Sequence, residues 1–168
     1  MRRTILVAIP VLGLALILQT SIVSRIVLLN GNADVVLLVL AAWALQERVR
    51  GVWIWGMAAG LLVGMVSGVP WYIYLAGYLI VIGIARLLMH RIWQAPLLAM
   101  FLVTFIGTLE LLMLTFVQRT LFVVPLAFNE VFSQIVLPSV LLNLLLAIPV
   151  HALVRDLANR VYPAGVTV

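Results

Sequence analysis

Residues 96–118 read PLLAMFLVTFIGTLELLMLTFVQ, and this run decides the fold. It carries a single charged residue, Glu110, in 23 positions. As a helix it extends roughly 35 Å at about 1.5 Å per residue, enough to cross a hydrocarbon core of about 30 Å. A carboxylate near the centre of such a helix costs roughly 2.5–3.5 kcal/mol on insertion scales. Glu110 therefore needs a partner, a proton or a task.

The rest of the chain follows the same pattern. Of its 168 residues 66% are hydrophobic and 9% charged, with a mean hydropathy of +1.30. Soluble domains are about 45–50% apolar, and no soluble fold of this size hides so much apolar surface. Apolar stretches alternate with short loops rich in Arg, Gly, Pro and Asn, which predicts one polytopic, all-α membrane domain over residues 1–168. We place six crossings at about 4–24, 34–46, 51–68, 70–89, 96–118 and 134–154. The opening MRRTILVAIPVLGLALILQTSIVSR resembles a signal peptide, but its apolar core is too long and lacks a small-x-small site, so it is read as a retained first helix.

Arginine sets the expected direction. With both termini cytoplasmic, Arg2, Arg3, Arg48, Arg50, Arg86, Arg91, Arg155 and Arg160 fall at inner ends, eight of the ten basic residues. Arg25 and Arg119 fall outside. Trp43, Trp53, Trp55 and Trp93 lie near inner ends and Trp71, Tyr72 and Tyr74 near an outer end, as interfacial belts require. The second segment is short for a crossing, about 20 Å. Either it crosses fully, as Arg48 and Arg50 favour, or segments two and three dip in together as a re-entrant hairpin.

Composition also excludes chemistry. There is no Cys, so disulfides and thiolate sites are absent. His90 and His151 are too few and too far from patterned acids for a metal site, and no cofactor motif appears. No phosphate loop, nucleophile elbow or paired carboxylates occur, which argues against an enzyme. The net charge of +5 is dispersed over loops, which argues against nucleic acid.

What remains are packing and recognition features. Gly56, Gly60, Gly64 and Gly68 recur every fourth residue, an extended small-xxx-small face for close helix approach, within the chain or against a partner. Gly77 and Gly83 are read as surfaces receiving it. Asp34 opens the second segment as an N-cap or a ligand group. In the sixth segment Pro138 suits an early helical position, Pro149 predicts a kink, and Asn143 is a buried amide. Glu110 and Asn143 match in depth, so they are expected hydrogen-bond partners, with Gly107 letting a neighbouring backbone approach the carboxyl. The apolar loop RTLFVVPLAFNEVFSQ either rests on the membrane or docks another polypeptide.

NADVVLLVLAAWAL (32–45, with Trp43), GLLVGMVSGVP (60–70) and LPSVLLNLLLAIPVHALVRDL (137–157) occur in this order. Together they resemble the family of the bacterial rod shape-determining protein MreD. The last stretch is the most specific, with Leu137, Pro138, Asn143, Leu146 and Pro149 in the family's places. The chain departs from the family at Gly64, where an acid is usual, and at Tyr72 and Tyr74, where Gly and His are usual. The resemblance implies a non-enzymatic scaffold of the cell-wall elongation complex (the elongasome), which determines rod shape during peptidoglycan synthesis. It would bind MreC and help couple MreB filaments to a RodA-type glycosyltransferase and a class B penicillin-binding transpeptidase. It further implies a compact bundle similar to the substrate-binding subunits of energy-coupling-factor transporters, in the bacterial cytoplasmic membrane. The alternative function is a substrate-binding membrane subunit of a small-molecule transporter, whose pocket would draw on Gln19, Asp34, Glu110 and Asn143.

Overall fold

A computed structural model describes residues 2–21, 29–47, 49, 51–91, 95–125 and 127–162, with side chains from residue 7 onward. Expectations resting on the side chains of Arg2 and Arg3 and on Arg25, Arg48, Arg50 and Trp93 lie outside the described residues. Of the described residues 85% are helical and none forms a strand. The helices are α1 (Arg2–Ser21), α2 (Val35–Ala44), α3 (Val52–Val66), α4 (Trp71–Arg91), α5 (Pro96–Phe122), α6 (Phe128–Val131) and α7 (Leu137–Val161). A π-helical stretch, Phe132–Val136, joins α6 to α7 in one apolar rod. Three helices are long and apolar enough to cross a membrane: α4, α5 and the Phe128–Val161 rod.

The centre of the fold is α2. Every one of its residues is apolar and every one is buried. A helix that is hydrophobic all round has no face to give to solvent and belongs inside a helical body. It packs against α1, α3, α4, α5 and α7. The short second segment is thus a ten-residue core helix, shorter than the expected 34–46.

The other helices bury one stripe each. On α5 the buried residues Ala99, Met100, Val103, Thr104, Gly107, Thr108 and Leu111 recur at helical spacing. Local chemistry sets the ends. Gly51 takes φ 79°, a left-handed conformation that glycine adopts without a Cβ clash, and α3 starts behind it. Pro96 stands in the first turn of α5, where its missing N–H loses nothing.

The antiparallel pair α3–α4 is held by glycine. A Cβ on Gly60 would lie 2.6 Å from Leu75 Cα, and one on Gly64 2.5 Å from Trp71 Cα. Gly56 meets Ile82 and Leu79. Three of the four spaced glycines therefore pack within the chain. Gly68 does not: it lies past the end of α3 with nothing within 4 Å of its Cβ position. The α4 glycines do not receive this face either. Gly77 takes Leu111 of α5, in a reciprocal pair with Val81 against Gly107, and Gly83 meets only the ring edge of Trp53, at 3.7 Å.

Two aromatic expectations are corrected. Trp43 and Trp55 are fully buried and stacked with centroids 4.4 Å apart, in the core and not in an interfacial belt. Trp53, Trp71 and Tyr72 are exposed. His151 is 3% exposed, because it shares the buried face of α7 with Asn143 and Ala147. His90 is exposed.

Candidate functional site

Gln19, Asp34, Tyr78, Thr108 and Asn143, polar residues of the apolar segments, converge where α2 begins. Asp34 caps α2 with extended backbone (φ −108°, ψ 92°), its Oδ1 accepting from Leu37 N at 2.9 Å. Its backbone N–H donates to Asn143 Oδ1 at 2.7 Å, and Asn143 Nδ2 donates to Thr108 Oγ1 at 2.9 Å. Tyr78 donates its hydroxyl to both Asp34 oxygens, at 3.0 and 3.2 Å. Gln19 Oε1 accepts from Val36 N at 3.1 Å, covering a second free donor of the α2 N-terminus. Residues from α1, α2, α4, α5 and α7 thus share one network. Each bond contributes about 0.5–1.5 kcal/mol net, but an orphaned buried partner costs about 1–3 kcal/mol.

The segment leading into α2 is fixed against the start of α7. Pro138 has no N–H to offer the carbonyl of Gln134 four residues back, and that carbonyl accepts from Asn30 N at 3.0 Å. The Asn30 and Gln134 side chains pair at 3.0 Å, and Asn32 N donates to Ser139 Oγ at 3.0 Å. Gly31 passes so close that a Cβ would lie 2.6 Å from Ser139 N. Proline, serine and asparagine of the closing motif, Pro138, Ser139 and Asn143, therefore all serve to seat residues 30–34. Leu137 is exposed, Leu146 is half-buried and Pro149 lies inside α7.

Glu110 is not in this network, which corrects the expected pairing with Asn143. Depth matched but azimuth did not: Thr108 faces Asn143, and Glu110, two residues on, points about 200° away around the helix. Its carboxyl lies instead over α4, with Oε2 3.7 Å from the Gly77 Cβ position. Both oxygens are buried and neither has a hydrogen-bond partner among the described residues. Gly107, expected to admit a backbone beside the carboxyl, takes the side chain of Val81.

Two cavities open beside the network. One of about 470 Å³ lies between the end of α1, residues 32–33, the end of α3 and Tyr74 of α4. A second, of about 190 Å³, shares Gln19, Asn32, Ala33 and Tyr74 with it and reaches Asp34, Thr108 and Asn143. Sequence reasoning missed Tyr78 and Thr108. Gln19, Asp34 and Asn143 are brought together as the small-molecule alternative requires, and Glu110 is left out. At the opposite end Arg86 donates to the Val49 carbonyl, tying α4 to the α2–α3 connection. Among the described residues no group of His, Asp or Glu is arranged to hold a metal ion.

Compared with protein-family models, curated proteins and solved structures, the chain matches none.

Proposed function

We propose that this chain is a non-enzymatic scaffold in the bacterial cytoplasmic membrane, of the MreD kind, with six crossings and both termini cytoplasmic. Its work is to recognise a membrane helix of an MreC-type partner. Through that partner it helps position a RodA-type glycosyltransferase, a class B penicillin-binding protein and MreB filaments.

The observation that carries this reading is Glu110. An intramembrane acid whose two oxygens are buried without a partner among the described residues leaves a strong hydrogen-bonding demand, and residues of this kind mark function by default. A partner helix laid along α4 and α5 would meet that demand by drawing the half-buried Glu110 side chain outward. Around the far end of α5, Leu121, Phe122 and Phe128 are more than half exposed, an apolar surface that extends the proposed contact. The resemblance in residues 32–45, 60–70 and 137–157 supplies the identity of the partner.

Replacing Glu110 tests this. Co-purification of the MreC-type partner is expected to survive Glu110→Gln, which keeps hydrogen-bonding groups, and to fall at least tenfold in Glu110→Leu. Equal recovery with both variants would contradict a recognition role.

The cavity beside Asp34 favours a second reading, a substrate-binding subunit of a transporter, because polar groups from five helices converge on it.

A further inference from the structure

The cavities at the start of α2 have a chemistry of their own. The larger, about 470 Å³, falls within the roughly 300–1,000 Å³ of small-molecule sites. Its wall is divided. Leu16, Val63 and Val66 form an apolar side, while Gln19, Asn32 and Tyr74 form a polar one. Across the shared wall the smaller cavity ends on the Asp34 carboxylate.

Charge selects what can enter. Among the described residues neither wall contains Arg or His; Arg119, on an exposed stretch of α5, is outside both. An anion at Asp34 would meet that carboxylate in a poorly solvated place; Arg119 acts on Tyr74, but among the described residues no cation is paired with Asp34. A cation finds the reverse. The Asp34 oxygens accept from Leu37 N and Tyr78 O–H, which leaves part of a carboxylate's roughly four acceptor positions open. Tyr74 lines both cavities, its ring 5.7 Å from that of the buried Tyr78 and inclined to it at 55°, and an aromatic ring in the wall favours a positive head.

We propose that the two adjoining cavities together bind a small organic cation, with its ammonium head at Asp34 and Tyr74 in the smaller and its apolar body along Leu16, Val63 and Val66 in the larger. The inference rests on the cavity and its charge, and it stands whether the chain is a scaffold or a transport subunit.

The test uses the full chain in lipid nanodiscs, titrated calorimetrically with benzylamine, protonated at neutral pH, and with its uncharged counterpart benzyl alcohol. Benzylamine is expected to bind saturably and at least tenfold more tightly than the alcohol. Asp34→Asn keeps an N-capping oxygen and removes the charge, and is expected to abolish the preference. Val66 is 62% exposed at the cavity wall, so Val66→Trp is expected to obstruct binding while leaving the melting temperature unchanged. Absent saturable binding of benzylamine, equal affinity for the two compounds, or an undiminished preference in Asp34→Asn would each overturn the proposal. So would undiminished binding in a folded Val66→Trp protein, which decides the matter if Asp34→Asn does not fold.

Discussion

Substituting Gly60 by alanine asks whether α3 and α4 are held together by the absence of a side chain. The added Cβ would lie 2.6 Å from Leu75 Cα and 3.0 Å from Leu75 N. Ordinary carbon contacts lie at about 3.5–4.0 Å, so the helices must separate locally by roughly 1 Å. The obstructing atoms are backbone and cannot rotate away. Overpacking of this kind costs about 1–3 kcal/mol. Alanine also gains about 0.5–1 kcal/mol over glycine in any helix interior, which masks part of the loss. Gly13→Ala is the control, since Gly13 is helical with nothing within 4 Å of its Cβ position. Both variants share the conformational gain, so the difference between them isolates the contact. At roughly 2–4 °C per kcal/mol for a chain of this size, Gly60→Ala should melt about 2–12 °C below Gly13→Ala in detergent. Equal melting temperatures would refute the close approach.

Asn143→Leu should lower stability by about 2–4 kcal/mol, because it strands both the Asp34 N–H and the Thr108 hydroxyl; chemical unfolding in mixed micelles measures it, and an unchanged midpoint would detach Asn143 from the network. Trp43→Phe keeps an aromatic ring and removes an indole N–H that has no partner among the described residues, so it should change stability by less than about 1.5 kcal/mol, whereas Trp43→Ala should lose about 3–5 kcal/mol. Trp43 and Trp55, both fully buried, should resist acrylamide quenching that reaches Trp53, which is 50% exposed; single-tryptophan variants separate them.

Much of the fold could be read from sequence because bilayer-length apolar runs and helix-breaking loops are strong, local signals. Segments five and six, and the N-cap at Asp34, depend on such signals, and helices stand at those places. The glycine spacing of α3 was legible for the same reason, up to Gly64, where Ser67 and Pro70 end the helix before Gly68 can join the face. What sequence reading lost is azimuth. Tryptophan near a segment end reads as an interfacial anchor, yet Trp55 lies on the same stripe as Gly56, Ala59 and Gly60, and that spacing marks it as buried. His151 could have been found likewise, four residues from Ala147 and eight from Asn143. Glu110 and Asn143 match in depth along the membrane but not in rotation about the helix, so Asn143 meets Thr108 and Glu110 lies over Gly77. Tyr78 and Thr108 were missed because each is an unremarkable residue until five helices bring it to Asp34, and no local pattern encodes that meeting.

The central claim, a scaffold for cell-wall synthesis, is tested most directly by recovering the tagged, full-length chain from native membranes in mild detergent and identifying what accompanies it. The account predicts an MreC-type protein as the main companion, with a RodA-type glycosyltransferase and a class B penicillin-binding protein in smaller amounts. Recovery of transport ATPase subunits with no cell-wall synthesis protein would contradict it.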